Sequence, residues 1–135
     1  MSIPLQRASD QLKRYFTTDT VAARPTVWEV SLHTGNPVLG NEVTVGMDAN
    51  YVRQTVTFEV NNVDLGGPEL VAQATNDILV EFDPAAVGAN YLVTHVAVRD
   101  ATTGDLLAYG RPTPNIPVVE STIVSFAIGE ILIQD

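Results

Sequence analysis

The sequence predicts a mainly β fold, an antiparallel β-sandwich or jelly-roll-like domain led by a short N-terminal amphipathic helix. Three observations carry this. Apolar and polar residues alternate with period two in several short runs, most clearly in Tyr51–Val60. The segment His95–Gly110, HVAVRDATTGDLLAYG, reads as a β-hairpin, with Asp100–Asp105 as turn and Gly104 as its left-handed residue. Clusters of Gly, Pro, Asn and Asp recur between the runs, so the strands are short and numerous, seven or eight in all.

In chain order, Ser2 is placed to cap a helix over 3–16, with Pro4 in its first turn. Leu5, Ala8, Leu12 and Tyr15 or Phe16 recur at helical spacing, while Arg7, Asp10, Lys13 and Arg14 take the other side. Such a stripe must cover something: the domain's own sheet, which is the first expectation, or a neighbouring subunit. Thr17–Thr20 ends the helix, and Arg24-Pro25 leads out extended.

In the strand 26–33, Trp28, Val30 and Leu32 face inward and Glu29, Ser31 and His33 outward. Residues 34–50 read as a long loop with a short edge strand at Glu42–Val45. In 51–60, Val52, Val56, Phe58 and Val60 are inward, and Gln54 interrupts that face; buried and unpaired, its amide would cost about 1–3 kcal/mol. Asn61–Pro68 is a turn-rich loop, followed by strands at Glu69–Ala74 and Asp77–Phe82, a loop at 85–90, and a strand at Tyr91–Arg99 that opens the hairpin. The three prolines of 111–117 make that piece extended and place it at an edge. Ser121–Ile128 and Glu130–Gln134 are strand portions separated by a bend at Gly129.

A chain of 135 residues is the size of one domain, here 1–135, with 1–20 as helix and arm and 26–135 as the β body. There is no cysteine, which excludes disulfides and sulfur-based zinc sites. A formal charge of −9, from 7 Lys+Arg against 16 Asp+Glu, disfavours nucleic acid and anionic membrane as partners. No run of about eighteen apolar residues exists and the N-terminus lacks the order of a secretory signal, so a soluble chain made in the cytoplasm is expected.

Chemistry-bearing motifs are absent: there is no G-x-S-x-G, H-E-x-x-H, P-loop or G-x-G-x-x-G. His33 and His95, the two histidines, fall in strands and read as structural residues. The carboxylates Asp77, Glu81 and Asp83, and separately Asp100 and Asp105, fit no calcium-loop spacing and read as turn residues. Trp28, Tyr51, Tyr91 and Tyr109 could form a sugar platform, but in alternating strands such rings are core or interface residues. No catalytic residue, cofactor or metal is expected.

Three sets of residues in fixed order carry a resemblance: Leu32-His-Thr-Gly-Asn-Pro37; Tyr51-Val-Arg-Gln-Thr-Val-Thr-Phe58; and Thr94-His-Val-Ala-Val-Arg-Asp-Ala101 with Thr103-Gly-Asp-Leu-Leu-Ala-Tyr-Gly110. Over roughly residues 5–133 the chain resembles a family of small structural proteins of tailed bacteriophages, often labelled tail-fibre or minor tail proteins. It departs from the family pattern at Met47-Asp-Ala-Asn50, where a glycine usually precedes the tyrosine, and at 111–117, which is richer in proline.

The resemblance implies a non-enzymatic virion component, an adaptor or assembly piece working through subunit contacts. Decoration of the phage head and carbohydrate-binding receptor recognition are the alternatives. A compact chain of this length is only a few tens of ångströms across, about the size of a knob or adaptor and too small for a fibre shaft. The expected partners are copies of itself, as a trimer or surface-bound multimer, and other virion proteins of tail or capsid, with a host glycan in the alternative reading. Contacts are expected from the helix, at Leu5, Leu12, Tyr15 and Phe16, and from the proline-rich piece, at Arg111, Pro112, Pro114, Ile116 and Pro117, because the β body does not obviously consume either surface.

Overall fold

The computed structural model describes residues 1–134. After one helix, α1 (Leu5–Phe16), the chain forms β1 (Trp28–His33), β2 (Gln54–Val56), β3 (Phe58–Val63), β4 (Val71–Asn76), β5 (Val80–Glu81) and β6 (Asn90–Val93). It ends with β7 (His95–Asp100), β8 (Leu106–Gly110), β9 (Ile116–Val119), β10 (Ser125–Phe126) and β11 (Leu132–Gln134). All described pairings are antiparallel, and they distribute the strands over four sheets: β2-β1-β7-β8, β11-β4-β3, β6-β9 and β10-β5. The architecture is mainly β with one short N-terminal helix, as the alternation and turn chemistry dictate.

The hairpin anchors the largest sheet. β7 pairs along its whole length with β1, from Trp28 opposite Asp100 to His33 opposite His95, and on its other side with β8. Gly104 has φ +78, which the turn requires and a Cβ would resist. Val30, Leu32, Val56, Val96, Val98 and Ala108 of this sheet close on Val80, Phe82, Val93, Val118, Val124, Phe126 and Ile131 of the other elements to form one core. The core is dominated by valine, whose β-branched side chain suits a pleated surface.

Two long runs break where strands change sheets. The run 51–60 splits at Thr57: β2 pairs with β1, whereas β3 pairs with β4. Val52 and Val60, read as inward, are therefore 60% and 69% exposed, because the alternation no longer refers to one sheet. Gln54 is half-buried, and its amide donates to the Val52 carbonyl at 2.9 Å. The run 91–99 splits at Thr94 between β6 and β7 in the same way.

Other boundaries shift for identifiable reasons. The expected Glu42–Val45 strand is reduced to a single bridge between Glu42 and His33, followed by a turn at 45–47. Asp77–Phe82 keeps only β5, because the buried Asn76 side chain, 0% exposed, captures the local backbone. It donates to the carbonyls of Ile78 and Ala127 and accepts from the Ile131 amide, each at 2.9 Å. Ser2 does not cap α1. Its backbone bridges Tyr109 instead, closing the outer edge of β8, and Pro4 stands at the N-cap with no side-chain hydrogen bond.

Candidate subunit-contact surface

The helix is turned against the rule that governs amphipathic helices. Its stripe is left open to solvent: Leu5 is 85%, Leu12 63%, Tyr15 78% and Phe16 80% exposed, and no helical residue is buried. Arg7, Asp10 and Lys13 lie on the side toward the domain, half-buried. The expectation that the stripe lies on its own sheet is thereby overturned. The cause is polar: Arg7 donates to Asp105 at 2.7 Å in the β7–β8 turn, Arg14 donates to the Ala22 carbonyl at 3.1 Å, and the bridge at Ser2 fixes the approach.

The N-terminal residues hold that orientation firmly. Ser2 N–H donates to the Tyr109 carbonyl at 2.7 Å, the Ser2 carbonyl accepts the Tyr109 N–H at 3.0 Å, and the Met1 ammonium donates to the Leu132 carbonyl at 2.8 Å. Met1 packs against the core and sits so close to Gly110 that a Cβ there would lie 3.2 Å from Met1 Cγ. Between helix, arm and body runs an open groove of about 610 Å³. One wall carries Arg7, Arg14, Tyr15 and Arg24, and the other Trp28, Phe58, Val60 and Ile133.

The second predicted set is split. Arg111, Pro114 and Pro117 are exposed, Pro112 is half-buried, and Ile116 packs on the core as the first residue of β9. β9 pairs only with β6, so its other edge is free, with Pro117 opposite Leu92. Met1 meets Gly110, the residue before Arg111. Leu65, Leu70 and Val60 on the β3–β4 hairpin are exposed at 60%, 62% and 69%, and were not anticipated. Their signal was present in the sequence: Val63–Leu70 mixes aliphatics with acids and contains no cation.

The groups with chemical potential are occupied. His33 and Ser31 are both 0% exposed. His33 Nδ1 lies 2.8 Å from the Gly40 carbonyl, which can only accept, so Nδ1 carries the proton and Nε2 accepts from the Ser31 hydroxyl at 2.8 Å. Arg99 Nε donates to the same hydroxyl at 3.1 Å. Burial holds the imidazole below its ordinary range, against the Gly40 hydrogen bond that favours the cation.

Next to it, Glu42 receives Arg53 Nε at 2.7 Å, Arg53 Nη2 at 2.8 Å and the Tyr51 hydroxyl at 2.9 Å, and the Tyr51 oxygen accepts the Leu32 N–H at 3.0 Å. Burial raises Glu42, but these hydrogen bonds outweigh it and leave the carboxyl below its usual value. Burial also drives Tyr51 upward, so its proton stays on. The face of β1 expected to meet solvent is thus covered by the 34–50 loop, and these bonds pin that loop down. The Ser31–His33 pair is closed off from solvent.

His95 stands opposite His33 across the β1–β7 ladder but bonds Thr94 Oγ1 at 2.9 Å. Of the carboxylates, Asp105 holds Arg7, Asp77 accepts from Thr57, and Asp100 accepts the Thr102 N–H at 2.9 Å. Among the described residues no group of three or more His, Asp or Glu could hold a metal. Tyr51 stacks on Phe82 with centroids 6.0 Å apart, Tyr91 donates to buried Asp48 at 2.9 Å, and both pack on the core with Trp28. No helix among the described residues is long and apolar enough to cross a membrane.

A family model described as "Podophage GP4 fiber I protein gp80" matches residues 7–134. No curated protein matches the chain.

Proposed function

Because the chain belongs to the Podophage GP4 fiber I protein gp80 family, a family of phage structural fibre proteins, we propose that it is a non-enzymatic adaptor or assembly component of the virion's fibre apparatus. Its work is done by contacts with copies of itself, as a trimer or surface-bound multimer, and with other virion proteins.

One observation carries this reading. Leu5, Leu12, Tyr15 and Phe16 form a contiguous apolar stripe that the monomer holds out to solvent while spending its polar contacts on the opposite side of the helix. A patch of that kind is the usual mark of a protein–protein contact. Arg111, Pro114 and Pro117, beside the free edge of β9, supply a second contact. The sealed Ser31–His33 pair supports a role without turnover.

The test is an image of the whole particle together with light scattering on the isolated protein. Density for this chain at the fibres, and a mass that rises with concentration, is the expected result. A protein that stays monomeric and is missing from the particle overturns the proposal.

A further inference from the structure

Charge is unevenly distributed along this chain. Residues 1–24 contain Arg7, Lys13, Arg14 and Arg24 against Asp10 and Asp19, a formal +2, so with −9 for the whole sequence the remaining 111 residues carry −11. The positive part is also the part with the uncovered apolar stripe. The β3–β4 hairpin is its counterpart: residues 58–77 hold Glu59, Asp64, Glu69 and Asp77 with no cation, and they expose Val60, Leu65 and Leu70. β3 is an edge strand, bonded only to β4. Glycines at 66 and 67 make the tip slim, with open space where a Cβ would stand on each.

We infer that the cationic N-terminal segment of one copy seats on the acidic β3–β4 hairpin of the next, so that the copies join head to tail. This rests on the reading of the helix stripe as a subunit contact and names the surface that it meets. The hairpin is the occupant that satisfies both halves of the segment's chemistry. Leu65 and Leu70 meet Leu12 and Phe16, while the opposite net charges of the N-terminal segment and the hairpin draw the two together. Stripe-to-stripe packing of two helices would bury the same side chains but bring like-charged segments together and leave the acidic hairpin unpaired.

The exposed area of the four stripe residues is on the order of 500 Å² per copy, judged from the sizes of such side chains. With a matching area on the hairpin, the contact reaches the roughly 1,000 Å² that a specific interface needs. Because the two surfaces differ, the contact is heterologous and generates a ring or a string according to the rotation per step.

The test is a charge exchange on the intact chain. One variant carries Arg14→Glu with Arg24→Glu, and the other Asp64→Lys with Glu69→Lys, and both are checked for native circular dichroism. Each alone is expected to associate at least tenfold more weakly than the native protein in sedimentation equilibrium, and an equimolar mixture is expected to restore association, because each repels itself and complements the other. Native-like association of either variant alone, or a mixture that stays dissociated, overturns the inference. If association survives both charge variants but is lost in Leu12→Gln with Phe16→Gln, the helices pack on one another; the head-to-tail contact then falls while the assembly role stands. A native protein that never associates removes both.

Discussion

Replacing Leu12 and Phe16 together by glutamine separates the two jobs a surface helix can have. Both side chains are open to solvent, at 63% and 80% exposure, and neither supports the core. Glutamine keeps good helix propensity, so the monomer should lose no more than about 0.5 kcal/mol, or about 2 °C in Tm. Assembly should respond very differently. Burying a whole leucine or phenylalanine is worth about 1.5–3 kcal/mol, so the exposed fractions of this pair amount to about 3 kcal/mol per contact. That is a roughly hundred-fold rise in the dissociation constant. Sedimentation equilibrium over a concentration series reads the second quantity, and a thermal melt under monomeric conditions reads the first. A Tm lowered by about 10 °C would mean that the stripe covers the protein's own sheet, and an unchanged Kd would mean that it covers nothing; either refutes the reasoning.

Three further outcomes follow from the interior and the N-terminal anchor. Asn76→Ala removes three hydrogen bonds of a buried side chain and leaves the Ile131 N–H and the Ile78 and Ala127 carbonyls without that partner, so urea unfolding should show a loss of about 3 kcal/mol; less than about 1 would mean that the turns around β5 hold without it. Acidification should destabilise the fold in two stages. His33 and Glu42 both titrate lower in the folded protein, so the folded state binds fewer protons: the stability these two groups contribute is complete above the unfolded histidine value of 6.5, declines as pH falls below it, and declines again below 4.5 as the unfolded carboxylate protonates. Urea melts from pH 8 to pH 4 check this, and His33→Gln should flatten the first stage, the remainder coming from His95, which burial also lowers. Gly110→Val crowds Met1, whose Cγ lies 3.2 Å and Cα 3.4 Å from the first added carbon, and should speed hydrogen exchange at the Tyr109 amide by loosening its bond to Ser2.

Much of this fold is local chemistry and could be read from the residues. The β7–β8 hairpin announces itself because Gly104 and the Asp100–Asp105 turn act within a few residues of each other. The bend at Gly129, with φ +86, is legible for the same reason. Thr57 and Thr94 are different: nothing in an alternating run marks the residue where a strand leaves one sheet for another, because only the distant partners β1 and β4 decide it. The apolar residues of α1 were equally plain, but their direction depends on Arg7 finding Asp105, 98 positions away. Ser31 and His33, outward by alternation, are buried because the 34–50 loop folds over them, and loop paths leave no periodic trace. The acidic, cation-free hairpin was visible as composition and lacked meaning until its exposure and the opposite sign of the N-terminal segment could be set together.

The stitching of the 34–50 loop makes this protein unequal in where it will tolerate foreign sequence. A peptide spliced between Gly66 and Gly67 would leave all the buried side chains undisturbed and add little loop entropy, so the body would fold as before and carry the guest on its tip. The same peptide placed between Asn36 and Gly40 would pull the carbonyl from the His33 ring and shift Glu42 off Arg53. For grafting an epitope or a fluorophore site on the folded body, the short glycine tip is the usable address, at the expense of the hairpin's contact with the next copy, although the longer loop looks more inviting by length.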